Sequence, residues 1–409
     1  MKLPKSATSF SINLVGLFSM LCTLYIISNY YASISSSYKL IAVSLSVALP
    51  IVILEYFFIR PPLLKNGIKL NSNNWSRIGT KLLGLYAIFG LVALVYWVPH
   101  EYRTSFFDPY WQLLKMGMPW VIVLSVPYFW LVDRRMDQPE DSYYKFGSAL
   151  LGNSKLDKAS ILQLCLGWLV KLFFLPMMLV YLGNNINSIT SAKYSFASVT
   201  SSFGSFYDYF WLLSFTVDLA VVAVGYMLTL RILDSHIRST EPTLKGWVVA
   251  IICYQPISIG ISRSYLAYNM DNYYWGHWLS GTGWIYVAWG SFLIVLLFIY
   301  SISSVAFGIR FSNLTHRGII TSGPYRYSKH PAYISKNLFW WLVNIPFISK
   351  SGDIVEIIRS CLLILLTNAI YWARAKTEES HLMSDPVYQE YASWVNKHGW
   401  FAKIKSVFN

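Results

Sequence analysis

The sequence predicts an all-α fold: a polytopic integral membrane helical bundle of about ten transmembrane helices, with N- and C-termini cytoplasmic. Three observations carry that reading. Hydrophobic residues make up 55% of the 409 residues and charged residues only 13%, and the mean hydropathy is +0.44, outside the range of soluble domains. Apolar runs long enough to cross a hydrocarbon core recur along the whole chain. The basic residues gather in every second connection between those runs.

The runs fall at about 9–28, 40–59, 81–99, 116–132, 160–182, 210–230, 246–262, 284–307, 333–348 and 354–373. The first is as long as a span and lacks a small-residue cleavage site, so a removable signal peptide is not expected. The ninth is short and bracketed by Pro331 and Pro346, which suits half of a tight hairpin with the tenth. With the N-terminus inside, 25 of the 33 Lys and Arg residues lie on the inner side, which places both termini there. Residues 184–209, rich in Asn, Ser and Tyr, read as an outer loop.

The net charge of +14 would suggest nucleic acid in a soluble chain. Here the cations sit in short loops beside apolar runs, where they orient spans and meet anionic membrane lipids, so no nucleic-acid partner is expected. Cys22, Cys165, Cys253 and Cys361 lie inside apolar runs with no paired spacing and read as small core residues. The seven histidines form no ligand-like cluster, so no metal is expected. Two glycosylation-like triplets, Asn74-Trp-Ser76 and Asn313-Leu-Thr315, fall on the inner side and read as meaningless.

Among the charges inside runs, three stand out. Lys171 and Asp218 lie at similar depth in the antiparallel fifth and sixth runs and could pair, or serve a head group or proton. Glu55 lies near an inner end and is expected to snorkel.

One polar, turn-rich stretch sits between two apolar runs: Gly323-Pro-Tyr-Arg-Tyr-Ser-Lys-His-Pro-Ala-Tyr333. Gly323 and Pro324 set a turn, and Pro331 frees the preceding carbonyls from helix pairing, so backbone groups with His330 and Tyr333 can meet a purine or a carboxylate. An ordinary interfacial turn is the plain alternative. About fifty residues on, Arg374-Ala-Lys-Thr-Glu-Glu379 follows Asn368 and Tyr371, with Arg374 and Glu378 on one helical face. A solvated helix end with ion pairs is the plain alternative there. Asp385 to Phe401 then places Tyr388, Tyr391, Trp394 and Trp400 among charges, as in a helix lying on the inner leaflet.

Together these stretches resemble the shared signature of the isoprenylcysteine carboxyl methyltransferase and phospholipid methyltransferase families: Gly-Pro-Tyr, then a basic residue with His-Pro-x-Tyr, a Glu-Glu pair and Tyr-x-x-Tyr. The resemblance covers residues 284–409, a methyltransferase-like C-terminal membrane core, and leaves 1–283 as a seven-span region of unassigned role. It implies S-adenosylmethionine bound at the cytoplasmic face and a lipid or prenylated acceptor. By matching position, Tyr325, Lys329, His330, Pro331, Tyr333 and Glu378 are the cofactor-binding candidates. Arg374 and Glu379 are the catalytic candidates, Arg374 beside the acceptor and Glu379 as first choice of base, with His381 second. Many members have Arg where this chain has Lys329 and Gly where it has Ser335; the first change loses a guanidinium fork, and the second crowds a close backbone approach.

Two rivals remain open at this stage. Ten-span NADPH-dependent sterol reductases have a similar turn but an Asp-Glu-x-x-Cys type ending that is absent here. A transporter or lipid-binding protein would account for Lys171, Asp218 and the first seven runs.

Overall fold

The computed structural model describes residues 2–65, 75–255 and 257–403. Among them, eight helices are long and apolar enough to cross a bilayer: α1 (Phe10–Tyr30), α2 (Ser36–Leu54, continued by a π-helical turn to Ile59), α3 (Trp75–Trp97), α4 (Asp108–Asp133), α6 (Lys158–Ile189), α7 (Phe203–Met227), α10 (Trp284–Val305) and α12 (Ile354–Leu382). A nine-residue helix, α5 (Ser142–Leu150), packs on α3. Prolines stand inside the helices at Pro50, Pro119, Pro127 and Pro176; the carbonyl of Leu172, freed by Pro176, accepts instead from the Tyr96 hydroxyl at 3.1 Å. A single large core joins α1, α2, α6, α7 and the final turns of α10.

The seventh and ninth expected spans are not continuous helices. The seventh falls on two eight-residue helices, α8 (Leu244–Ile251) and α9 (Ile257–Ser264), each about 12 Å long at 1.5 Å per residue. The ninth is α11 (Pro331–Val343), which stops where Asn344 turns to extended backbone, two residues before Pro346, and runs into strand β4 (Asn344–Ser349). A residue before proline avoids the helical region, and proline cannot donate to the preceding turn. The chain is therefore not purely α-helical. Two antiparallel ladders pair β1 (Ser239–Thr240) with β3 (Thr315–His316), and β2 (Asn272–Tyr274) with β4.

Those ladders explain the path. Strand β2 lies ten residues before α10 and β3 ten residues after it, so the ladders sit at opposite ends of that helix. The stretch holding α8 and α9 runs from one end to the other, as does α11 with β4. Broken backbone connects the ends twice, where the apolar pattern suggests unbroken helices. Both terminal segments sit at the β1–β3 end: Ala7 donates to the carbonyl of Ile319, and α13 (Pro386–His398) packs its buried Tyr388 and Tyr391 against Ile319 and Tyr325.

The charges inside spans are arranged differently from expectation. Glu55 does not snorkel: it is 2% exposed and grips Arg310 Nη1 at 2.7 and 2.9 Å, while Thr8 donates to it at 2.5 Å. Lys171 and Asp218 do not pair. Lys171 Nζ lies 4.4 Å from the Trp168 ring centroid, whereas Asp218 accepts from Tyr300 at 2.7 Å and from Ser304. Equal depth does not fix which face of each helix a residue takes.

Removing one partner of a buried ion pair strands the other charge. Arg310→Met is expected to lower stability in detergent by about 3–5 kcal/mol, and Arg310→Met with Glu55→Leu to recover a large part of it. Thermal unfolding of both variants checks this; additive losses would show that the pair is not coupled.

Candidate functional site

The His-Pro-x-Tyr turn and the Glu-Glu pair meet beneath the β1–β3 end. Gly323 takes φ 62°, in the left-handed region, and a Cβ there would come within 2.8 Å of the Phe10 ring, so the 3-10 turn over Gly323–Arg326 depends on glycine. His330 stands at the N-cap position of α11 with its side chain turned to Glu379 rather than to the helix, and Pro331 takes the first position, where the missing amide hydrogen costs no helical bond. The helix that carries the Glu-Glu pair starts at the far end of the molecule, where Asp353 caps α12 by accepting from Val355 N at 2.8 Å; near the site, Asp385 caps α13 by accepting from Val387 N at 2.8 Å.

The two acidic residues divide their work. Glu379 accepts on Oε1 from His330 Nε2 at 2.9 Å and pairs there with Lys329 Nζ at 3.0 Å, while Lys376 Nζ reaches Oε2 at 3.1 Å. Glu378 Oε1 accepts from the Tyr333 hydroxyl and from Arg374 Nε at 3.1 Å. Glu378 also lines a cavity, and among the described residues no hydrogen bond to its second oxygen occurs. Arg374 is fixed further by Nη2 donating to Asn313 Oδ1 at 2.6 Å and approaching the Tyr254 hydroxyl at 3.3 Å. Asn313 is itself set by Tyr226, whose hydroxyl accepts from Asn313 N at 3.0 Å. The rings of His330 and Tyr333 stack with centroids 5.5 Å apart and 5° between planes.

These groups line a cavity of about 210 Å3 that runs from Lys329, Tyr388 and Tyr391 inward to Asp218 and Lys336. Tyr325, Lys329, His330, Tyr333, Arg374 and Glu378 are on its wall, as the sequence leads one to expect. Pro331 sets the helix start, and Glu379 lies behind His330 and Lys329 as their counter-ion, an arrangement that gives no support to its role as a base. His381 is also on the wall, held by Ser239 Oγ at 2.9 Å. Among the described residues no group of three metal-ligating side chains occurs.

Helix α13 closes the cavity. Tyr391 donates from its hydroxyl to the carbonyl of Tyr325 at 2.7 Å. Burial pushes the phenols of Tyr325, Tyr388 and Tyr391 above their ordinary value, so each keeps its proton and can donate.

The sequence reading did not name Asn313, Tyr254, Lys336 or Tyr371 as candidates for the site. Asn313 stood inside a glycosylation-like triplet, yet it is 5% exposed and faces Arg374; Asn74, of the other triplet, lies outside the described residues. Asp218 was legible as a charge in an apolar run, and only its partners were hidden.

Tyr391→Phe deletes one buried donor and is expected to cost about 1 kcal/mol and to loosen the turn at Tyr325. Hydrogen exchange at residues 323–330 checks it, and unchanged protection there would separate α13 from the turn.

No curated protein and no solved structure matches the chain. The part that carries the His-Pro-x-Tyr turn and the Glu-Glu pair, residues 288–384, matches the model of the Isoprenylcysteine carboxyl methyltransferase (ICMT) family, and so supports reading the protein as a membrane methyltransferase.

Proposed function

We propose that the protein transfers a methyl group from S-adenosylmethionine to a lipid or lipidated, isoprenylcysteine-like acceptor at the cytoplasmic membrane face. The observation that carries this reading is the Glu378 carboxylate. It accepts on one oxygen from Tyr333 and Arg374 and lines the cavity beside the stacked rings of His330 and Tyr333.

Those groups fit the donor's chemistry. Glu378 is placed to accept from ribose hydroxyls or an ammonium, the aromatic faces suit a purine, and Lys329 suits a carboxylate. When bound, S-adenosylmethionine supplies an electrophilic methyl carbon on sulfur. The chain's own residues contribute position and shielding: Arg374 is held rigidly by Asn313, Tyr254 and Glu378, and Tyr388 and Tyr391 cover the cavity. Alignment of reactants is where such a displacement gains most. A carboxylate acceptor needs orientation only, because it is already a nucleophile.

Calorimetry on detergent-purified protein, with S-adenosylmethionine, S-adenosylhomocysteine and NADPH, tests the reading. Both adenosyl compounds are expected to bind and NADPH not to; NADPH binding alone would replace the reading with a reductase. Glu378→Gln and His330→Ala are each expected to weaken S-adenosylhomocysteine by about tenfold or more with little change in unfolding temperature. Normal affinity in both variants would remove this donor site.

A further inference from the structure

The membrane-side end of the cavity lies apart from the turn and the Glu-Glu pair. Asp218 stands nine residues before the end of α7, about 14 Å in at 1.5 Å per residue, and it lines the cavity together with Tyr300, Ser304 and Lys336. Met178 and Val222, from α6 and α7, add apolar wall at that end. The cavity therefore reaches from the polar turn into the depth occupied by hydrocarbon, and an ionisable residue at that depth calls for a reason.

Other charges on the wall have close partners. Arg374 has Glu378 and Asn313, Lys329 has Glu379, and Asp218 accepts from Tyr300 and Ser304. Lys336 differs. It follows Tyr333 by three residues on α11, hence on the same face. Its Nζ sits among three rings, 5.2 Å from the centroid of Tyr300, 5.3 Å from Trp340 and 5.6 Å from Tyr371. Among the described residues it makes no hydrogen bond and no direct salt bridge, and the opposite charge it feels is the Asp218 carboxylate beyond Tyr300. Aromatic faces hold an ammonium in place but accept no strong hydrogen bond from it. Tyr300 lies between it and Asp218, with its ring toward Lys336 and its hydroxyl on the carboxylate.

We infer that Lys336 anchors an acidic head group, a carboxylate or phosphate, on the apolar-tailed methyl acceptor, and so selects anionic lipidic acceptors. This rests on the reading of the cavity as a methyl-transfer site. The acid meets the ammonium midway along α11, its tail lies against the apolar wall of Met178 and Val222, and the donor occupies the end near Glu378. Asp218 serves as a positioning residue: by holding Tyr300 it fixes one wall of the ring cage.

The test uses full-length protein in detergent and three prenyl probes: S-farnesyl-N-acetylcysteine, its carboxamide, and farnesyl phosphate. Affinities are measured with and without S-adenosylhomocysteine for the parent, Lys336→Met and Lys336→Arg, alongside the affinity for S-adenosylhomocysteine itself. The parent is expected to favour at least one acid over the carboxamide by about tenfold. The preferred acid then separates carboxylate from phosphate. Lys336→Met should erase the preference while keeping S-adenosylhomocysteine binding, and Lys336→Arg should retain it. Equal binding of acids and carboxamide to the parent, or an undiminished preference in Lys336→Met, overturns the inference. Failure of S-adenosylhomocysteine to bind the parent instead overturns the donor reading, and the probe comparison without it still decides the role of Lys336.

Discussion

Five backbone carbonyls converge on one guanidinium. Arg317 donates to Ser235 O at 2.6 Å, Phe311 O at 2.7 Å, Gly225 O at 2.8 Å, Ile309 O at 2.9 Å and Leu228 O at 3.2 Å. Irregular backbone near a bilayer is tolerated only when its polar groups are satisfied within the protein. Arg317 meets that requirement for the end of α7 and for the segment after α10 at once. The fit is close, since a Cβ on Gly225 would approach Phe311 O to 2.5 Å. Because the segment can stay irregular, Asn313 is free to face Arg374, and the orientation of Arg374 then follows.

This dependence blurs the boundary drawn by chemistry at residue 283. Asp218, Glu241 and Tyr254 stand on the cavity wall beside Tyr325, Tyr333 and Glu378. The region preceding the family match is therefore more than a platform: it supplies one side of the cavity.

The spans were legible wherever apolar character alone decides them, and the eight long helices fall within several residues of the runs read from the sequence. The seventh and ninth runs misled because hydropathy does not report a helix interrupted partway or one turning into a strand at Asn344-Ile-Pro346. The turn and the Glu-Glu pair were legible because glycine, proline and paired carboxylates are local signals. Side chains that arrive from a distance were not. Arg310, Arg317 and Lys336 counted as loop cations that orient the chain, whereas one grips Glu55, one gathers carbonyls and one stands in a ring of aromatics. A basic residue beside an apolar run has the same sequence signature whether it meets lipid or is buried in the protein.

The N-terminal strap has a bearing on biogenesis. Thr321 is held by the Pro4 carbonyl across 317 residues of sequence, Asn13 reaches Ala306 across 293, and Glu55 reaches Arg310 across 255. Chains are made from the N-terminus, so the residues that emerge first must wait for those that emerge nearly last. Until then Glu55 has no guanidinium and the Gly323 turn lacks Phe10 against its back. The cavity is consequently a late product of assembly, closed only after the last long helix has been inserted.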